Sequence, residues 1–133
     1  MVSRICEIGM TSLKKVLVID DDPSSLKLIK KLMENEGFAT FPFTTWKSDT
    51  ISNIISISPD VIILDEYLVG VRGSDLCTIL KSINELRTTP VILISGIQNL
   101  EKVAEGCKAN GYVQKPLSLG DIEGIVNLVS KAA

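Results

Sequence analysis

Residues 59–73 read PDVIILDEYLVGVRG, and the fold follows from how this stretch divides. Val61, Ile62, Ile63 and Leu64 form a largely β-branched apolar run, too short for a helix and introduced by the turn pair Pro59–Asp60. That is the pattern of a strand buried on both faces. An acid, Asp65, follows at once, and then a loop that contains Gly70 and Gly73. Ligands of open α/β sheets bind beyond the carboxyl ends of the strands. Asp65 is therefore the first candidate for chemistry.

Working outward, the same kind of run recurs as Val16–Ile19 and Val91–Ile94, with a shorter one at Gly111–Gln114 and an edge-type strand at Phe38–Phe43 that contains Pro42. Helical spacing fills the gaps. Leu26, Ile29, Leu32 and Met33 predict a helix with Asp22 as its cap, Pro23 in its first turn and Gly37 just past its end. Ile51, Ile54, Ile55 and Ile57 predict a second helix. Leu76, Ile79, Leu80 and Ile83 predict a third, with Ser74 as N-cap. A short helix over Leu100–Lys108 is the fourth, and Ile122, Ile125, Val126 and Val129, capped by Ser118, make the fifth. Strand and helix thus alternate five times. This predicts one three-layer α/β domain, doubly wound as (βα)5, with a five-stranded parallel sheet and right-handed crossovers. Residues 1–13 lack periodicity and are expected to be a flexible lead-in to a domain over 14–133.

Composition narrows the function. The chain has 133 residues, 45% of them hydrophobic, and a net charge of −2. That suffices for a packed core and gives no basic surface for direct nucleic-acid binding or for an anionic membrane. No apolar stretch approaches a membrane span, and the first ten residues lack the apolar core of a signal peptide. Cys6, Cys77 and Cys107 have no metal-ligand spacing and fit a reducing cytoplasm, with Cys77 and Cys107 read as core-facing helix residues. There is no histidine, which removes His-dependent triads, His general bases and the usual zinc sites.

The residues that follow the buried strands are Asp20-Asp21-Asp22, Asp65, Ser95 and Lys115. A parallel sheet brings all of these to one edge. Several carboxylates packed together repel one another unless a cation compensates, and a hard divalent ion with oxygen ligands suits them. Adding a lysine and a hydroxyl makes a set fitted to phosphoryl chemistry with a carboxylate as nucleophile.

IDDDP, ILDEYLVGVRG, VILISG and GYVQKP, in that order, resemble the four signature segments of the receiver domain of bacterial two-component response regulators, across residues 14 to 131. The resemblance implies a flavodoxin-like, CheY-like fold. It implies that Asp65 accepts a phosphoryl group from a histidine kinase or His-containing phosphotransfer protein. Asp20, Asp21, Asp65 and the backbone carbonyl of Tyr67 would hold Mg2+, and Lys115 would pair with the phosphoryl oxygens. Ser95 would swing to the phosphate, with Tyr112 as the coupled aromatic residue, and the Lys115–Pro116 bond would be cis. The domain would catalyse only its own phosphorylation and dephosphorylation, and so is not an enzyme acting on a separate substrate. Only Ser130–Ala133 follow the last helix's apolar positions, so either output through a downstream protein is expected, from a monomer or weak homodimer, or the chain is a fragment of a longer one.

This chain departs from the pattern after the acceptor, at Glu66, Tyr67, Val69 and Arg72, and the segment from Ser95 to Lys115 is slightly short. The bulky Tyr67 is expected to slow hydrolysis of a phosphorylated Asp65. Two other classes stay open on the residues: a scaffold that binds partners without phosphorylation, and an aspartate-nucleophile phosphatase of the haloacid dehalogenase type using Asp20 of a DxD pair.

Overall fold

The computed structural model describes residues 13–132. The expected lead-in, Cys6 included, lies outside the described residues except for its last position. Strand β1 (Lys15–Ile19) leads to helix α1 (Pro23–Asn35), β2 (Ala39–Phe43), α2 (Thr50–Ile57) and β3 (Val61–Asp65). Two short strands, β4 (Tyr67–Leu68) and β5 (Val71–Arg72), precede α3 (Gly73–Lys81); β6 (Val91–Ser95), α4 (Leu100–Gly106), β7 (Gly111–Gln114) and α5 (Leu119–Ala132) complete the chain. The main sheet has five strands in the order β2-β1-β3-β6-β7, every pair parallel. This is the expected doubly wound (βα)5 sheet, with β2 at an edge as Pro42 required.

Why the central runs are apolar without interruption is visible in how they divide. Side chains alternate across a strand, and both faces of this sheet are covered. Val16, Val18, Val61, Ile63, Ile92, Ile94 and Val113 face one way and pack on Leu26, Ile29 and Met33 of α1 and Ile122, Ile125 and Val129 of α5. Leu17, Ile19, Ile62, Leu64, Val91 and Leu93 face the other way onto α2, α3 and α4, through residues such as Ile54, Leu76, Cys77, Leu80 and Leu100. Burying each such side chain is worth about 1.5–3 kcal/mol. A polar residue in these runs would face a helix layer on either side.

Helix ends follow their local chemistry. The Asp22 carboxylate accepts the Ser24 N–H at 3.1 Å and the Ser25 hydroxyl at 3.2 Å, with Pro23 at the first helical position. Past α1, Gly37 has φ +88°; its N–H donates to Glu34 and that of Phe38 to Met33, closing the helix with the left-handed turn expected of a glycine there. Ser118 and Asp121 cap α5 reciprocally, the Ser118 hydroxyl accepting from Asp121 N–H and the Asp121 carboxylate from Ser118 N–H.

Three expectations for the third helix are corrected. Ser74 is not its N-cap: the helix starts at Gly73 after Arg72, and Ser74 lies inside the first turn. Ile79 is 42% exposed, and Ile83 lies beyond the helix end. The buried positions are instead Gly73, Leu76, Cys77 and Leu80, because the helix is rotated to bring Gly73 against β3. Cys107, expected within a helix, follows the end of α4 and is buried there. The Lys115–Pro116 bond is cis, as the resemblance implied.

Candidate functional site

Alternation also explains which strand-end residues meet. Asp20 continues the side of β1 that carries Val16 and Val18, Asp65 the side of β3 that carries Val61 and Ile63, and Lys115 the side of β7 that carries Val113. All three side chains converge. Lys115 Nζ lies 3.1 Å from Asp20 Oδ2 and 3.3 Å from Asp65 Oδ2. Asp20 is wholly buried, and Asp65 and Ser95 nearly so. Main-chain donors orient the acids: Asp22 N–H donates to Asp20 Oδ1 at 2.9 Å, and Tyr67 N–H to Asp65 Oδ1 at 3.3 Å. Asp21 stands in front of this pair and accepts the Val69 N–H at 2.9 Å.

Ser95 ends the central strand next to β3. Its carbonyl accepts the Lys115 N–H at 2.9 Å, which ties the ends of β6 and β7 together, and its hydroxyl accepts the Ile97 N–H at 3.3 Å. Tyr112 is 43% exposed and lies within β7 opposite Leu93, along a groove shared with Gly120, Gly124 and Ile125 of α5. It stands back from the acids rather than among them.

Oxygen atoms of Asp20, Asp21 and Asp65 lie within 4.8 Å of one another. An all-carboxylate donor set at this spacing fits a hard divalent ion such as Mg2+ and offers nothing to a soft metal. The electrostatics point the same way. Burial, and then the Asp20 carboxylate, push the Asp65 pKa up to about 6, against the opposing Lys115 charge and the Tyr67 N–H. Burial works against a charged Lys115, but its hydrogen bond to Asp20 and the charges of Asp20 and Asp65 outweigh it and raise its pKa. The site therefore holds more negative charge than Lys115 alone offsets.

A raised carboxyl pKa means that the fold favours protonated Asp65. The resulting stability is fully present below the unfolded value of 3.8 and is lost as pH rises through about 6. Asp65→Asn removes the cost of the charge. In metal-free protein it is expected to stabilise the fold at pH 7 by about 1–3 kcal/mol, with the gain vanishing by about pH 4. Urea denaturation of both proteins at the two pH values measures this.

Two features of the site escaped sequence reading. The loop after Asp65 is a hairpin, β4 paired antiparallel with β5, turning at Gly70 with φ +82° and pinned at its tip to Asp21. The other is Glu66. Next to the acceptor it is only 1% exposed, and its carboxylate accepts the N–H of Ser74 at 2.7 Å and the Ser74 hydroxyl at 3.0 Å. The only available signal was parity: Glu66 continues the Ile62 and Leu64 side of β3, which faces α3.

Among known proteins, the family model described as the response regulator receiver domain matches residues 16–127. The chain is 29% identical over 108 residues to the DNA-binding response regulator MtrA of Mycolicibacterium smegmatis, covering 80% of this chain and 46% of that protein. It is 25% identical over 114 residues to the chemotaxis protein CheY-3 of Vibrio cholerae, covering 82% and 85%. A 76.5 kDa protein of Thiocystis violacea is 28% identical over 119 residues, 88% of this chain but 17% of that one. The chain thus spans about half or less of several curated relatives it matches. Solved receiver domains from Methanospirillum hungatei (TM-score 0.79, 23% identity, 91% and 97% covered) and Methylobacillus flagellatus (TM-score 0.78, 24%, 89% and 99%) share the fold.

Proposed function

Because the chain belongs to the response regulator receiver domain family, we propose that it accepts a phosphoryl group on Asp65 from a phosphohistidine of a histidine kinase or His-containing phosphotransfer protein. It would then present a changed surface to a downstream protein. The observation that carries this reading is the contact of Lys115 with both Asp20 and Asp65, beside a third carboxylate. An oxygen of the Asp65 carboxylate attacks phosphorus, the bond from phosphorus to the histidine nitrogen breaks, and an acyl phosphate forms. The Lys115 ammonium is placed to follow the charge from the carboxylate to a phosphoryl oxygen. The Ser95 hydroxyl, held among the described residues only by a long bond from Ile97 N–H, is the donor free to turn toward the new group.

Asp20, Asp21, Asp65 and the Tyr67 carbonyl are the groups that would hold Mg2+, with Asp21 and Asp65 as direct carboxylate ligands. The ion, when bound, supplies the positive charge that lets these carboxylates stay ionised beside incoming phosphoryl oxygens. Next to Lys115 lies an open cleft of about 380 Å3, lined by Ser24, Ser25, Leu28, Ile29, Pro116 and Leu117, which this reading assigns as the seat of the donor. Phosphohistidine chemistry and the free thiols of Cys77 and Cys107 agree with a cytoplasmic setting, and the switch is a shift between pre-existing arrangements favoured by contacts of Ser95 and Lys115 with phosphate.

The dehalogenase-type alternative fits less well. Asp20 is wholly buried, and Asp22, the second acid of that pair, is taken up in capping α1. The scaffold alternative differs in its prediction. Incubated with acetyl phosphate, the protein should gain the mass of one phosphoryl group with Mg2+ present and not with a chelator. A chain that takes no label in either condition would revive the scaffold reading.

Tyr67 is 51% exposed beside the acceptor, and the Arg72 guanidinium lies 5.8 Å from its ring centre, an arrangement that holds the ring by cation–π attraction. We read this held ring as a shield of the acyl phosphate from water. Tyr67→Ala is expected to shorten the phosphorylated lifetime severalfold, read as loss of label after the donor is removed. An unchanged lifetime would show that the ring does not shield.

A further inference from the structure

We propose that Glu66 is a positioning residue for phosphoryl acceptance: its buried carboxylate ties the acceptor backbone to the first turn of α3 and so holds Asp65 and Tyr67 in register. The inference rests on the reading of Asp65 as the acceptor. A carboxylate at 1% exposure is costly unless its oxygens are satisfied, and here they are. One accepts Ser74 N–H at 2.7 Å, and the other accepts the Ser74 hydroxyl at 3.0 Å and lies 3.9 Å from the Arg72 guanidinium. Helix α3 makes no side-chain cap bond at its own N-cap, Arg72. Glu66, from the preceding strand, takes that role and also sets a negative charge at the positive end of the helix.

The backbone of Glu66 is tied on both sides. Its N–H donates to Ile94 at the end of the neighbouring strand, and its carbonyl accepts Gly73 N–H, each at 2.9 Å. Glu66 is thus the point where β3, β6 and α3 are joined, and its two chain neighbours are the residues whose orientation matters. Asp65 presents the nucleophilic carboxylate, and Tyr67 presents the N–H that orients it and the carbonyl assigned to Mg2+. If the link from Glu66 to Ser74 is lost, the helix end keeps the backbone bond from Gly73 N–H but loses its side-chain tie to the strand, and the acceptor carboxylate is held less firmly in its direction.

The test compares Glu66→Ala, Glu66→Gln and wild type, with Leu86→Ala as a core truncation before β6, at the opposite edge of the sheet. Labelling rate from acetyl phosphate at saturating Mg2+ is one readout, and Mg2+ affinity by calorimetry without donor is the second. Glu66→Ala is expected to label about tenfold more slowly and to bind Mg2+ more weakly. Glu66→Gln should recover most of both, since its amide oxygen still accepts from Ser74 N–H, and Leu86→Ala should melt earlier yet label at the wild-type rate. A folded Glu66→Ala with wild-type rate and affinity, a Glu66→Gln no better than the alanine, or an equal slowing in Leu86→Ala would overturn the role. Should Glu66→Ala not fold, Ser74→Ala carries the test, with a smaller loss in both readouts expected and no loss overturning the proposal. Wild type that takes no label would instead strike the acceptor reading itself.

Discussion

Gly73→Val is expected to lower stability by about 3 kcal/mol or more and to abolish phosphoryl acceptance in whatever fraction stays folded. A Cβ at this position would overlap the carbonyl oxygen of Asp65 and lie 2.9 Å from its carbonyl carbon and 3.1 Å from Glu66 Cα. All three are backbone atoms at the end of a central strand, with no flexible side chain to give way. Helix α3 starts at Gly73, so relief requires the helix to move off β3 or the acceptor peptide to shift, and either breaks the bond from Gly73 N–H to Glu66. The reason is space and not backbone conformation, which a second glycine makes testable. Gly70, at the hairpin turn, has φ +82° and open surroundings, so Gly70→Ala pays only the conformational strain, about 1 kcal/mol. Urea denaturation of both variants should rank them widely apart. Equal costs would show that the contact of Gly73 with Asp65 does not constrain the fold.

Lys115→Ala has the second large effect. Its ammonium stands between a wholly buried Asp20 and a nearly buried Asp65, and removing one partner from a buried ionic cluster typically costs about 3–5 kcal/mol. Part of that returns as pH falls from 7 to 5, because Asp65, already pushed up to about 6 in the wild type, takes a proton more readily still. Added Mg2+ should stabilise the variant more than the wild type, since the ion replaces the missing charge. Labelling from acetyl phosphate should fall by about a hundredfold, the scale for deleting a charge-stabilising group. Lys115→Arg is not expected to rescue it, because a planar fork cannot occupy the point between the two carboxylates. Denaturation curves at both pH values, with and without Mg2+, check the stability claim. A variant as stable as wild type at pH 7 would refute it.

The central architecture was legible because each buried run carries its own evidence. Val61–Leu64, Val16–Ile19 and Val91–Ile94 are apolar at every position, which only a strand covered on both faces requires. Asp20 and Asp65 were legible for a related reason, since each directly follows such a run, and Lys115 stands at the corresponding place after the shorter strand Gly111–Gln114. What could not be read was set by tertiary packing. The rotation of α3 that exposes Ile79 and buries Gly73 comes from the close approach to Asp65, a contact with no local signal. The two-residue strands β4 and β5 are too short to show periodicity. Glu66, which the sequence marks only as a departure from the family pattern, carries no local sign of burial; its burial depends on Ser74, eight residues away on a helix that starts two residues earlier than Ser74 as N-cap implies. The expected Ser74 cap and the unforeseen burial of Glu66 have one physical cause, that the helix is capped from outside.

The whole account turns on where the phosphoryl group resides. Protein labelled with acetyl phosphate and Mg2+ can be trapped with borohydride, which reduces an aspartyl phosphate to homoserine, then digested and sequenced by mass spectrometry. The prediction is one modified position, Asp65, and no label in Asp65→Asn. Homoserine at Asp20, or full labelling of Asp65→Asn, would contradict it.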